Sequence, residues 1–230
     1  RYRIMSYDLI IVTQSNGHLI DVTQRCIDSA REDGAELNII IVETGNPYRY
    51  DVDRIIPYNG EFNYNRALNM GLKYVKHEIH ILANNDLIFR PGWSKIGALM
   101  VLNGYHSASC VTGNMNRKGD VVYEGYDIES ILTGWCIFVD RYCIEKIGQL
   151  DETVSFWFSD NLYAEQIKAA GIKHGLFANC QIDHLVSETL KKQPTRLQRK
   201  YQMGEMSKYL NRKNHYAKIK NLHGVDTQDL

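Results

Sequence analysis

Two apolar runs of strand length mark the first half of the chain. Asp8 to Thr13 (DLIIVT) and Leu37 to Glu43 (LNIIIVE) are continuous rather than alternating, the pattern of strands buried on both faces. A third run, Ile79 to Ala83, leads into Asn84-Asn85-Asp86. Between the runs, apolar residues recur at helical spacing: Leu19, Val22, Cys26, Ile27 and Ala30 after the breakers Gln14-Ser15-Asn16-Gly17, and again from Phe62 to Val75. Buried strands separated by helices predict a parallel sheet in an α/β domain.

The second half is less regular. Pro91-Gly92 opens a helix from Trp93 to Asn103, Ser107 to Thr112 reads as a strand, and Asn114 to Tyr126 is a polar hairpin or loop. Trp135 to Val139 predicts a strand, Arg141 to Ile147 a short helix ended by Gly148, and Ser159 to Ala170 a helix ended by Gly171. Short strands are expected near Lys173 to Phe177 and Gln181 to His184.

With 230 residues, one sizeable core and an appendage are expected. Lysine and arginine balance aspartate and glutamate at 27 each, so no bulk charge draws the molecule to nucleic acid. The charge is local instead. From Lys191 onward Lys192, Arg196, Arg199, Lys200, Lys208, Arg212, Lys213, Lys218 and Lys220 face few acids, with Leu197, Tyr201, Tyr209 and Leu210 interleaved. Such a tail is either a solvated helix packed on the domain or a surface for anionic headgroups. The five cysteines, Cys26, Cys110, Cys136, Cys143 and Cys180, show neither CxxC pairing nor zinc spacing and fit a reducing compartment. With no apolar cleavable opening segment and no run of 18 apolar residues, the expectation is a cytoplasmic protein, peripheral to the membrane at most through its tail.

The end of the third run carries the candidate chemistry. Ligands of open α/β sheets collect outside the carboxyl ends of the strands, where a hard divalent cation needs oxygen ligands. Asp86 is a candidate metal ligand there, although Asn-Asn-Asp is equally good turn chemistry. Further motifs follow in order: Arg90-Pro91-Gly92-Trp93, Thr133-Gly134-Trp135, Gly148-Gln149-Leu150-Asp151-Glu152, Phe156-Trp157-Phe158-Ser159-Asp160, and His184. In this order, from about Asp8 to Leu185, the chain resembles a family-2 inverting glycosyltransferase of the GT-A fold.

That resemblance implies a Rossmann-like, mostly parallel central sheet flanked by helices, with a small antiparallel acceptor-side portion and a helical tail. Residues 1–190 would form one domain, with 1–90 the nucleotide-binding half and 91–190 the acceptor-binding half, and 191–230 the basic tail. The implied activity is metal-dependent transfer, with Mn²⁺ or Mg²⁺, of a hexose or deoxyhexose from a nucleoside diphosphate sugar, UDP foremost, to a glycan hydroxyl. Asp86 and His184 would hold the metal and Asp160 would be the general base. Thr13, Gln14 and Glu43 would line the nucleoside pocket. Asn65 and Asn69, one helical turn apart, would face the donor beside Asn84 and Asn85. Trp135, Phe156 and Trp157 would form an aromatic wall for sugar faces.

The residues alone also permit plainer roles. Asp160 or Ser159 could cap a helix, His184 could be a satisfied buried histidine, and Glu43 a solvated strand-end acid. Asn65 and Asn69 could form a polar helix face, the three adjacent aromatics must include core packing, and Asp151-Glu152 fits a loop brace. The chain also departs from the family pattern, with Asn84 and Ser159 where acids are usual, Leu162 and Gln166 in place of an Asp and an Arg, and no proline in the first loop. A non-catalytic nucleotide-sugar- or glycan-binding module is the alternative function. A nucleotidyltransferase is disfavoured, because no Gly-rich phosphate loop follows the first strand.

Overall fold

The computed structural model describes residues 5–113, 115, 117, 119–185 and 195–222, apart from the side chains of 195–201 and 220–222. Lys191, Lys192 and Asn114 lie outside the described residues. Strand β1 (Ser6–Thr13) is the centre of a parallel block, flanked by β2 (Glu36–Glu43) and β4 (Ile79–Asn84), with β3 (Arg54–Pro57) outside β2. The period of two along β1 explains why its run is uninterrupted. Tyr7, Leu9 and Ile11 pack with Cys26 and Ile27 of α1 (Leu19–Arg31), whereas Ile10 and Val12 pack with Ala67 and Leu68 of α2 (Tyr64–Leu72). Each face therefore needs an apolar side chain at every second position.

After β5 (Leu87–Phe89) come α3 (Lys95–Asn103), β6 (Ser107–Val111), β7 (Val122–Glu124), β8 (Cys136–Asp140), α4 (Arg141–Ile147), α5 (Ser159–Ala169), β9 (His174–His184) and α6 (Thr195–Leu222). The sheet order is β3-β2-β1-β4-β8-β6-β9-β5, and β7 pairs with β9. β8 runs antiparallel to both β4 and β6, so the parallel block gives way to a mixed one. Among the described residues, no helix is long and apolar enough to cross a membrane.

Four features differ from expectation. Neither β3 nor β5 is foreseen from the sequence, because runs of four and three residues are too short to show a period. The two short strands expected between Lys173 and His184 are one strand, β9, which absorbs its irregularity as a register shift against Cys110 and Val111 of β6. Within the expected hairpin or loop, Val122 to Glu124 joins the sheet.

Polar burial is compensated by specific donors. Asp8 lies within the core and accepts from the backbone N–H groups of Lys76 and His77, from Asn38 Nδ2 at 2.6 Å, and pairs with His80 Nδ1 at 3.0 Å. Burial alone would raise its carboxyl; these partners outweigh it and hold the group below the ordinary value. Trp93 of the Pro-Gly-Trp turn is buried against Tyr7, Phe89 and Phe138, and Asp33 fixes the turn through the N–H groups of Gly92 and Ser94.

Candidate functional site

β4 ends at Asn84 and β5 begins at Leu87, so Asn85 and Asp86 make the step between two strands. β5 runs antiparallel to β9 with Leu87 opposite His184, and Leu185 N–H donates to Asp86 O at 2.9 Å. This register carries Asp86 Oδ1 to 3.2 Å from His184 Nε2. The imidazole is held in plane by Trp135, whose ring stacks on it at 5.5 Å and 17°. Two ligands bonded at about 2.1 Å and set at right angles on one cation are about 3 Å apart, so this separation fits a shared ion. A carboxylate suits Mg²⁺ or Mn²⁺, and the imidazole tilts the choice toward the transition ion. Among the described residues no group of three or more His, Cys, Asp or Glu could hold a metal ion. The pair by itself offers two ligand atoms, one carboxylate oxygen and one imidazole nitrogen.

The amides near this pair are turned to the protein. Asn85 Nδ2 donates to Thr13 Oγ1 at 3.2 Å and to Thr23 Oγ1 at 3.0 Å, while the two hydroxyls meet at 2.7 Å, so Asn85 and Thr13 knot β4, β1 and α1 together. Asn84 Oδ1 accepts from Tyr64 OH at 2.8 Å. Gln14 is exposed at the β1 end. Glu43 is not a solvated acid: its carboxylate accepts from the N–H groups of Ser15 at 2.9 Å and Gly45 at 2.7 Å, joining the loops after β1 and β2. Asn65 and Asn69 turn amide groups toward a loop, and Asn65 also lines the small cavity beside Asp160. Asn65 Nδ2 donates to Asp151 O at 2.7 Å, and Asn69 exchanges bonds of 2.9 Å with the backbone of Leu150, so both hold the 150–152 loop.

Asp160 stands in the first turn of α5, which the chain enters through Phe158 at φ 66°. The cap position is Phe158 and bears no side-chain cap bond, so neither Ser159 nor Asp160 caps the helix. Asp160 keeps part of its surface open, yet the surrounding apolar mass raises its carboxyl above the ordinary value, and the charge of Glu129 adds to this. The N–H of Asn161, 2.9 Å from Oδ1, offsets part of the rise. A cavity of about 10 Å³, the size of one water, lies beside it, lined by Tyr64, Leu82, Gly134, Leu150 and Tyr163 among others.

The two acids are joined by a dipeptide. A Cβ on Gly134 would lie 2.5 Å from Asp160 Cβ, so the glycine backbone is in direct contact with Asp160; Trp135, the next residue, stacks on the His184 that meets Asp86. Tyr64 spans the same interval. Its phenol is raised first by burial, then by charges including those of Asp86 and Asp160. Neither the contact role of Gly134 nor Tyr64 was read from the sequence; Gly134 stood inside a motif, while Tyr64 had no signal beyond its helix.

The expected aromatic wall divides. Trp135 belongs with His184, whereas Phe156 packs edge-on against Tyr64 at 6.1 Å and meets Trp157 at 5.4 Å. Phe158 turns away and stacks on Tyr209 of α6 at 5.3 Å and 7°. The departures at Leu162 and Gln166 have a local reason. Leu162 is buried with Tyr209 and Tyr216 in the seat of α6, and Gln166 ties the loop by accepting from Asp151 N–H and donating to Gln149 O, both at 2.9 Å. Asp151 meets Arg212 and Tyr216, and Glu152 meets Arg66 at 2.8 Å, so this acid pair braces the loop as anticipated from the residues.

No protein-family model matches the chain, and no curated relative does. Among solved structures, its fold is similar to that of GalNAc-T7 in a crystal structure with UDP, GalNAc and Mn²⁺, with a TM-score of 0.62 and 12% sequence identity. The similarity covers 79% of this chain and 43% of the other, so the chain spans less than half of its neighbour's length. The shared property is the fold: this chain is an α/β protein of GT-A-like architecture.

Proposed function

We propose that the chain is a divalent-cation-dependent, inverting glycosyltransferase of the family-2 type. It would move a hexose or deoxyhexose from a nucleoside diphosphate sugar to a hydroxyl of a glycan acceptor. The observation that carries this reading is the Gly134-Trp135 dipeptide, which touches Asp160 on one side and the Asp86–His184 pair on the other. A cation held by that pair would offset the charge that develops on the leaving diphosphate. Asp160 accepts the proton of the attacking hydroxyl; its raised proton affinity makes it the stronger base, and general-base help is worth about 10²- to 10⁴-fold. Trp135, Phe156 and Trp157 would offer faces for sugar rings, and the loops after β1 and β2, with Gln14 exposed on the first, would border the nucleoside.

UDP and Mn²⁺ are the first ligands to try, since both accompany the fold neighbour. On α6, Met203, Met206 and Leu210 are 76%, 40% and 48% exposed at helical spacing, in a helix with eight basic residues and one acid. This supports peripheral contact with anionic lipid on a cytoplasmic face, which co-sedimentation with anionic against neutral vesicles tests. The function itself is tested by titrating UDP with Mn²⁺ and with EDTA, then assaying hydrolysis across a panel of nucleotide sugars. Mn²⁺-dependent binding with turnover is expected. Binding without turnover would transfer the reading to a binding module, and no Mn²⁺-dependent binding would refute both.

A further inference from the structure

We propose that Glu205, on α6, is a positioning residue for the segment that carries Asp160, an inference that rests on the glycosyltransferase reading above. Glu205 is the one acid among the 28 residues of α6, and it is buried. A buried carboxylate needs donors. Its donors are three successive backbone N–H groups: Oε1 accepts from Ser155, and Oε2 accepts from Phe156 at 3.0 Å and Trp157 at 2.8 Å. Consecutive N–H groups aimed at one anion form a nest, a conformation that the anion itself stabilises.

The nest lies directly ahead of the site. Trp157 is followed by left-handed Phe158, and Asp160 comes two residues later. The opposite side of the same segment is also held, because Ser155 O accepts from Tyr64 N–H at 2.7 Å and Tyr64 OH bonds Asn84, two residues before Asp86. Glu205 thus closes a frame whose other side is the strand end of the metal pair. Other contacts bind α6 to the same region, among them Asp151 with Arg212 and with Tyr216 OH at 2.6 Å, Lys213 with Glu165 at 3.5 Å, and Phe158 stacked on Tyr209, but none of these touches residues 155–157. An amide in place of the Glu205 carboxylate keeps one acceptor oxygen but loses the charge, and its NH2 points donors at the N–H groups that the other oxygen held.

The test compares Glu205→Gln with Tyr216→Phe, which weakens the docking of α6 without altering the nest. The chain has three tryptophans, so 5-fluorotryptophan labelling gives three ¹⁹F signals, with Trp157 assigned by its loss in Trp157→Phe. Expected for Glu205→Gln are a displaced Trp157 signal, an unmoved Trp93 signal, UDP–Mn²⁺ affinity within about twofold, and kcat for donor hydrolysis lower by about 10²-fold. Tyr216→Phe should keep both the Trp157 signal and kcat. If Glu205→Gln does not fold, Glu205→Asp, one methylene short of the nest, gives the same readouts. An unmoved Trp157 signal, or an equal loss of kcat in Tyr216→Phe, overturns the proposal. Wild-type protein that hydrolyses no donor would sink the glycosyltransferase reading instead, while the Trp157 signal still decides whether the nest depends on Glu205.

Discussion

Gly134→Ala should disable transfer while sparing the donor site. The added Cβ would lie 2.5 Å from Asp160 Cβ, 2.6 Å from Oδ2 and 2.9 Å from Cγ. Carbon atoms pack at about 3.5 Å or more, so a relative shift of about 1 Å is required. Rotating the carboxylate cannot provide it, because the nearest atom is the Cβ, which moves only with its helix. Residue 134 is equally constrained: Trp135 O accepts from Asn84 N–H at 2.9 Å, and Cys136 N–H donates to Thr133 O at 3.1 Å. Overpacking of this kind costs about 1 to 3 kcal/mol of stability. A 1 Å misplacement of a catalytic group costs about 10²-fold in rate, or about 2.7 kcal/mol of barrier. The assay is kcat for the nucleotide sugar that the wild type hydrolyses, beside UDP–Mn²⁺ affinity by calorimetry and the melting temperature. Full turnover, or a loss explained entirely by weaker UDP binding, would refute the reasoning. A cycle sharpens the test, since in an Asp160→Asn background Gly134→Ala should lower the rate no further.

Asp86→Asn and His184→Ala should each remove the Mn²⁺-dependent part of UDP binding, by about 10-fold or more, and leave the EDTA baseline alone; unchanged calorimetric affinity would dismiss the pair as a metal site. Because Asp160 is raised above 3.8, its stabilising contribution is complete below that value and is lost as pH rises through the raised one. Asp160→Asn should therefore melt higher than wild type at pH 7 while losing turnover, and a lower melting temperature would contradict this. Wild-type kcat should rise with pH as Asp160 gives up its proton, and a profile flat down to the ordinary aspartate value would remove it as the base. Asp8 is shifted the other way, so its contribution is present above 3.8 and lost as pH falls through its lowered value; Asp8→Ala, which strips His80 of its partner, should cost about 3 kcal/mol in urea unfolding at neutral pH.

How much could be read beforehand follows from what each residue contacts. The parallel block was legible because Ile10 and Ile11 must each face apolar layers, which leaves no polar gap in the run. Asp86 and His184 were legible as a strand-end acid and a strand-end histidine, whose meeting depends only on β5 pairing with β9. The loop bonds of Asn65 and Asn69 were not legible, since a helix-borne amide presents the same spacing whether it faces a ligand or a loop. Glu205 left no motif, because its partners are backbone N–H groups 48 to 50 residues earlier, and any residue type can supply those.

The distance along the chain between Ser155 and Glu205 also sets a schedule during synthesis. A ribosome adding roughly 5 to 20 residues per second releases the acceptor of the nest roughly 3 to 10 s after its donors. Over that interval β1 and β4 can already be paired, while the turn before Asp160 waits for a helix not yet made. Nascent protein would gain its parallel block first and the final orientation of Asp160 last.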